Sequence, residues 1–254
     1  MTGHAALEVQ GLAKSFGGFR AVAGVSFLVG PGEIVALIGP NGAGKTTTFN
    51  LVNGQIRPDA GRVRLDGTDV TGLPPRRLWQ RGVARTFQIT ATFQSMTVQE
   101  TVAVGVMAHL GSLWAPGRMA TIDAPETRRL IADVGLERLA DRVCGTLAYG
   151  DLKRVELAMA LANDPRLLLM DEPTAGMAAA EREALMTLVV RVARGRGAAI
   201  LFTEHDMGVV FRHAERVLVM SRGEMVAEGT PQAIRESALV REVYLGRATV
   251  PGSP

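Results

Sequence analysis

Eight consecutive residues carry the clearest chemistry in this 254-residue chain. Gly39-Pro40-Asn41-Gly42-Ala43-Gly44-Lys45-Thr46 satisfies the spacing G-x-x-x-x-G-K-[ST], and the apolar run Ile34–Ile38 leads straight into it. Glycines at 39, 42 and 44 let the backbone curl until successive N–H groups point inward. A helix starting at the end of the loop adds the positive end of its dipole. Such a nest holds the phosphates of a nucleoside triphosphate. Lys45 reaches the β- and γ-phosphates, and the Thr46 hydroxyl is offered to Mg²⁺. A glycine-rich turn without chemistry would not need a strand before it and a helix after it.

Two acids form the second feature. Leu167-Leu168-Leu169-Met170-Asp171-Glu172 reads as a buried strand ending in Asp171 and Glu172. Asp171 at the strand end is placed to bind Mg²⁺, directly or through water. Glu172, one residue on, points elsewhere and can take a proton from an attacking water. Alone, the pair reads equally well as a strand end in a solvated loop. Downstream of a phosphate loop and followed by Pro173-Thr174, the catalytic reading is preferred. His205, in Thr203-Glu204-His205-Asp206, follows another apolar strand. A histidine there can hydrogen-bond a γ-phosphate and orient water, although an isolated histidine at a helix start is more often a surface residue. His4, His109 and His213 are read as surface residues. Gln88, at the end of residues 83–87, is placed for Mg²⁺ or the attacking water, but alone it carries nothing.

These residues need elements to hold them. Residues 7–65 read as strand-rich: 7–9, 25–29, 34–38 and 62–65 are short and apolar or alternating. Turns are expected at Gly17-Gly18, Gly30-Pro31-Gly32 and Asp59-Ala60-Gly61. Residues 97–162 read as helical. Thr97 is expected to cap a helix with Glu100 as capping-box partner. Ala115-Pro116-Gly117 breaks that pattern, and residues 124–134 resume it behind Pro125. From residue 166 strands at 167–170, 198–203 and 217–220 alternate with helices at 179–194 and 207–213. The first of these helices is ended by Gly195 and Gly197. Such alternation implies a parallel sheet wrapped by helices. A hairpin of 217–220 with 225–228 around Arg222-Gly223 and a short helix after Thr230-Pro231 follow, and residues 247–254 are expected to fray.

Composition excludes other classes. With 47% hydrophobic and 21% charged residues, the chain is neither a disordered tail nor a fibrous repeat. No apolar run approaches the ~18 residues needed to span a bilayer. The opening MTGHAALEVQ lacks the pattern of a signal peptide, so a soluble, cytoplasmic protein is expected. Cys144 is the single cysteine, which rules out an intrachain disulfide. The net charge of +3 is small, and 25 of the 28 basic residues are arginines. Coding bias explains this, and the pairs Arg76-Arg77 and Arg128-Arg129 are too short to imply nucleic acid.

Taken together, the motifs resemble the ATP-binding subunit of ABC transporters over nearly the whole chain. GPNGAGKT matches the Walker A motif, Gln88 falls at the Q-loop, and LLLMDE matches Walker B with the catalytic glutamate. His205 falls at the switch histidine, and Phe16 in Lys14-Ser15-Phe16-Gly17 matches the aromatic that stacks on adenine. The segment from Leu147 to Arg154, LAYGDLKR, stands at the place of the LSGGQ signature. It departs from that form at Ala148, Tyr149 and Asp151. In the family this segment starts a helix aimed at the γ-phosphate held by a second subunit. Losing the serine hydroxyl at Ala148 removes a bond worth about 0.5–1.5 kcal/mol. Asp151 would repel a phosphate, so it is expected to turn toward Lys153, Arg154 or a partner. Ala178, in Ala175-Gly176-Met177-Ala178, replaces the usual Asp or Asn of the D-loop.

The resemblance implies an α/β fold with a P-loop NTPase (RecA-like) core and a mostly parallel sheet. It adds an N-terminal antiparallel β subdomain (5–35 and 60–75) and a helical subdomain (91–162) carrying the signature. The ATP-binding core would span 36–59, 76–90 and 163–254, all within one ABC ATPase domain covering 1–254. It implies ATP and Mg²⁺ as cofactors. Nucleotide would be held by Phe16, Gly39, Asn41, Gly42, Ala43, Gly44, Lys45, Thr46 and Thr47, and across a dimer by Ala148 and Gly150. Mg²⁺ would fall to Thr46, Gln88 and Asp171, and catalysis to Glu172, His205, Lys45 and Gln88. The implied partners are transmembrane permease subunits, a second ATP-binding subunit (itself or a paralogue) and, indirectly, a solute-binding protein, with no nucleic acid. The implied place is peripheral, on the cytoplasmic face of the membrane. LAYGD, ARTFQ (84–88), TEHDM (203–207) and the terminal Tyr244-Leu245-Gly246 are most similar to the branched-chain amino-acid importer group. An ATPase of a lipid or lipopolysaccharide exporter, or a soluble ABC-family ATPase without a permease, stays open as the alternative.

Overall fold

The computed structural model describes residues 5–86, 93–110 and 123–245. Two sheets divide its strands. β1 (Leu7–Phe16) and β2 (Phe19–Val29) form a hairpin around Gly17-Gly18, and β1 continues onto β4 (Ala60–Leu65) and β5 (Thr68–Asp69) in an antiparallel sheet of order β2-β1-β4-β5. β3 (Ile34–Ile38), β6 (Val83–Thr86), β7 (Leu167–Asp171), β8 (Ala199–Thr203), β9 (Arg216–Ser221) and β10 (Glu224–Gly229) form the second sheet, ordered β10-β9-β3-β8-β7-β6. Only the β9–β10 pair is antiparallel there. The mostly parallel core expected from the alternation is therefore present, as is the separate antiparallel sheet.

The apolar runs are continuous because this second sheet is covered on both faces. Successive side chains of a strand point to opposite faces. Ile34, Ala36 and Ile38 join Leu168, Met170, Ile200 and Phe202 in one core. Val35 and Leu37 join Leu167, Leu169 and Leu201 in the other, beside the antiparallel sheet and Phe49 of α1 (Lys45–Val52). The first core is completed by α3 (Val98–His109), α4 (Pro125–Asp133), α5 (Tyr149–Leu161) and α6 (Ala179–Arg196). α2 (Pro75–Trp79) precedes β6. α7 (Met207–His213), α8 (Pro231–Glu236) and α9 (Ala238–Leu245) complete the C-terminal part.

Local signals behave as their chemistry dictates. Thr97 caps α3 in a full capping box with Glu100, and Pro125 opens α4. Thr230 caps α8 through Ala233 N. His213, read as a surface residue, has its side chain 8% exposed and 3.3 Å from Glu183. Three expectations about the elements also need correction. β1 does not stop at Val9: it shifts register around Gly11, at φ 56°, and runs on to Phe16. β2 likewise begins at Phe19 rather than at Val25. A bulge interrupts the alternation without ending the strand. α6 passes through Gly195 and ends at Gly197, whose φ of 68° forms the left-handed cap. A helical glycine costs roughly 1 kcal/mol relative to alanine. The next residue, Arg196, pairs with Asp133 and Asp164 at 2.6 and 3.1 Å. The expected break at 115–117 and the frayed end at 247–254 lie outside the described residues.

The parallel order brings the carboxyl ends of β3, β7 and β8 to one edge, where ligands of open α/β sheets bind. The loop at 39–46, the acids at 171–172 and His205 all follow those three ends.

Candidate active site

The loop after β3 is shaped by what surrounds its glycines. Gly39 has φ 154° and Gly44 φ 99°. A Cβ on Gly39 would stand 2.2 Å from the Met220 carbonyl oxygen, and one on Gly44 2.5 Å from that of Ala21. No other residue fits either place, because the contacts are to backbone rather than to a movable side chain. The loop is braced from the β9–β10 turn, where Gly223 N donates to the Ala43 carbonyl at 2.9 Å. A second brace comes from α9, where the Tyr244 hydroxyl is hydrogen-bonded to the Gly39 backbone. The crowding around that hydroxyl pushes its pKa up to about 12, against the pull of the Gly39 bond.

Lys45 opens α1 and is 7% exposed. Its Nζ donates to the Gly39 carbonyl at 2.7 Å and to that of Pro40 at 3.2 Å. Burial lowers its pKa, and the carboxylates of Glu172 and Asp171 pull it back toward the charged form. The ammonium thus donates to two neutral carbonyls, which a charged acceptor would outcompete.

Asp171 and Glu172 diverge, as expected of consecutive residues at a strand end. Asp171 Oδ1 accepts from the Thr203 hydroxyl at 2.7 Å, and Oδ2 lies 3.3 Å from the Arg85 guanidinium. Arg85 also donates to Asn50 Oδ1 and Gln55 Oε1, and burial lowers its pKa while Asp171 raises it. Glu172 takes φ 49°, a left-handed conformation costing about 1–2 kcal/mol for a side chain of this kind. The Glu172 N–H is shared between the Thr203 carbonyl at 3.1 Å and its hydroxyl at 3.0 Å, which holds the turn. That turn sends the carboxylate to His205, whose Nε2 lies 2.7 Å from Glu172 Oε1. Both side chains remain partly open to solvent.

One cleft of about 380 Å³ gathers most of the predicted residues: Asn41, Gly42, Ala43, Gly44, Lys45, Thr46 and Thr47 line it with Glu172 and His205. Gly39 does not line it. Asp171 faces a neighbouring cavity of about 240 Å³ shared with Arg85 and Lys153. Phe16 is 47% exposed at the tip of the β1–β2 hairpin, with Lys14 Nζ 5.7 Å from its ring. Its direct cross-strand partner is Phe19, 67% exposed, and it is Phe19 that lines the cleft. Gln88 lies outside the described residues.

The signature segment starts α5. Ala148 is its N-cap and supplies no side-chain cap. Gly150 lies in the first turn, and a Cβ there would meet the Met177 methyl at 3.6 Å. Asp151 turns toward Arg154, 3.8 Å away, as expected. Tyr149 has a task a glycine could not perform: its hydroxyl donates to the Ala175 carbonyl at 3.3 Å, joining α5 to the loop 175–178. Ala178 is the N-cap of α6, where Glu181 accepts from its N–H at 3.2 Å, but alanine has no oxygen to return the bond.

Sequence reasoning missed Thr203, Glu204, Arg85 and Phe19. The first two are the neighbours of His205 in the quoted tetrapeptide. Their roles depend on contacts made across strands, and no spacing rule encodes those.

Comparison with known proteins agrees with this geometry. The ABC transporter family model matches residues 22–175, and the branched-chain amino acid ATP-binding cassette transporter model matches residues 224–249. The chain is 38% identical to the high-affinity branched-chain amino acid transport ATP-binding protein BraF of Pseudomonas aeruginosa, over 95% of this chain and 98% of that protein. It is 35% identical to the lipopolysaccharide export system ATP-binding protein LptB of Haemophilus influenzae, over 94% and 97%. A solved ATP-binding cassette of an ABC transporter, in its ADP conformation, superposes with TM-score 0.85 at 30% identity, covering 95% of this chain and 99% of that one.

Proposed function

The chain belongs to the ABC transporter family as one of its ATP-binding subunits, and from that premise we propose that it powers uptake of branched-chain amino acids or related small solutes. The family makes it a nucleotide-binding ATPase that works with transmembrane components. No helix among the described residues is long and apolar enough to cross a membrane. Peripheral attachment at the cytoplasmic face, two permease subunits, a second ATP-binding subunit and an external solute-binding protein complete the reading.

The observation that carries the ATPase chemistry is the 2.7 Å contact of Glu172 with His205 in the same cleft as the phosphate loop. ATP lies with its phosphates on the loop N–H groups and Lys45. Glu172 accepts the proton of the attacking water, and His205 donates to the γ-phosphate. Ala148 and Gly150 present the start of α5 to the nucleotide of the second subunit. Thr46 and Asp171 offer one hydroxyl and one carboxylate, a hard oxygen set suited to Mg²⁺, which takes one or two protein oxygens plus phosphates rather than a protein cage. Gln88 would join them. When bound, Mg²⁺ neutralises charge developing between the β- and γ-phosphates.

Phe16 is the platform for adenine, with Phe19 beside it at the cleft mouth. Phe16→Ala is expected to weaken ATP affinity by about fivefold or more, the worth of one base–aromatic stack. Calorimetric titration checks this. An unchanged affinity would make the ring a packed piece of the hairpin.

The match at 224–249 and the relatives named for branched-chain amino acid transport favour the importer reading. The likeness to the lipopolysaccharide-export ATPase favours a second one. Tagging the chain in its native host and identifying what co-purifies from detergent-solubilised membranes separates them. Two many-span permeases, with a second ATPase, are expected. Export-type membrane partners would establish the second reading. Active ATPase with no membrane partner would remove the transport role altogether.

A further inference from the structure

Glu204 is 5% exposed and Thr174, its partner, 1% exposed. Burying a carboxylate is costly unless its lone pairs are used. Here Oε1 accepts from Thr174 N at 2.8 Å and from Thr174 Oγ1 at 2.6 Å, while Oε2 lies 3.2 Å from His205 N. One carboxylate thus spans two segments. Thr174 immediately precedes the loop 175–178, which Tyr149 ties to the signature helix. His205 immediately follows Glu204 and contacts Glu172. On the other side of Glu204, Thr203 already grips Asp171 and the Glu172 backbone.

We infer that Glu204 is a positioning residue that fixes the loop 175–178 to the His205 backbone, so that loop and histidine move as one piece during the ATPase cycle. The inference rests on the proposed roles of Glu172 and His205. Glutamine at this place keeps one carbonyl oxygen for Thr174 but turns an amide N–H₂ toward the His205 N–H, where two donors meet. The bracket is then held on one side only. Valine at 174 removes the hydroxyl while keeping the backbone N–H, and serine keeps both.

The test measures kcat, ATP dissociation constant and Tm for Glu204→Gln, Thr174→Val, Thr174→Ser and the double variant Glu204→Gln/Thr174→Val. Misplacing a catalytic group by about 1 Å costs roughly 10²-fold. The expected result is therefore a kcat about 10- to 100-fold lower for Glu204→Gln, with ATP affinity within about threefold. Thr174→Val follows in the same direction, and Thr174→Ser stays close to the parent. The double variant falls well short of the product of the two single losses, because both break one bracket. A kcat within twofold of the parent in Glu204→Gln overturns the inference, as does a parallel loss of kcat and affinity. If Glu204→Gln does not fold, the 174 pair decides: valine impaired with serine active supports the bracket, and valine fully active overturns it. Glu172→Gln and His205→Ala run beside these variants. Impairment there with an active Glu204→Gln rejects the bracket alone, whereas normal turnover in both rejects the reading beneath it.

Discussion

Glu172→Gln is expected to lower turnover by about 10²- to 10⁴-fold, the range lost when a positioned general base is removed. ATP affinity should stay within a few-fold of the parent, because the phosphate contacts come from the loop and Lys45. The amide has the size and planarity of the carboxylate, and its oxygen or nitrogen can still meet His205 Nε2. The Thr203 bonds that hold the residue at φ 49° are made by the backbone and survive the change. Lost activity therefore reports lost proton acceptance rather than a rearranged turn. A substrate that binds but is not hydrolysed should also trap the closed pair of subunits, giving an ATP-dependent dimer by sedimentation. Phosphate release, calorimetry and sedimentation on the same preparation check all three points. Normal turnover would take the base role from Glu172.

The chemistry was legible where it is local in sequence. A phosphate loop is built from consecutive residues, so its glycines, lysine and threonine announce themselves. The same holds for the Thr97 cap and for the apolar runs of a sheet covered on both faces. What was not legible depends on strand order. β8 lies between β3 and β7, and only that adjacency lets Thr203 reach Asp171 and Glu204 reach Thr174. Arg85 reaches Asp171 for the same reason, from β6 across the β6–β7 pair. Phe16 and Phe19 show an intermediate case. The turn at Gly17-Gly18 is legible, but only the folded chain shows that the two rings pair across it and that Phe19 borders the cleft. The strand lengths were misjudged at Gly11 because a bulge shifts the side-chain alternation by one residue.

Lys45→Ala is expected to have the other large effect, this time on binding. Removing one partner of a buried, hydrogen-bonded charge pair costs about 2–5 kcal/mol, or roughly 30- to 5,000-fold in affinity. Two features of the site place this variant toward the upper end. The ammonium is buried, and Glu172 and Asp171 stand close enough to pull its pKa back up against that burial. Without Lys45 those two carboxylates face an incoming triphosphate with one compensating charge fewer. Arginine should not rescue the loss: its planar fork is larger than the ammonium and does not fit a point-charge position between the Gly39 and Pro40 carbonyls. The fold should tolerate alanine, since Lys45 donates only to two loop carbonyls and alanine is the best helix former for the first turn of α1. Titration of ATP into Lys45→Ala and Lys45→Arg, with Tm measured on each, separates a binding role from a structural one. An intact Tm with lost affinity is the expected result. Parent-like affinity in Lys45→Ala would mean that the loop N–H groups alone hold the phosphates.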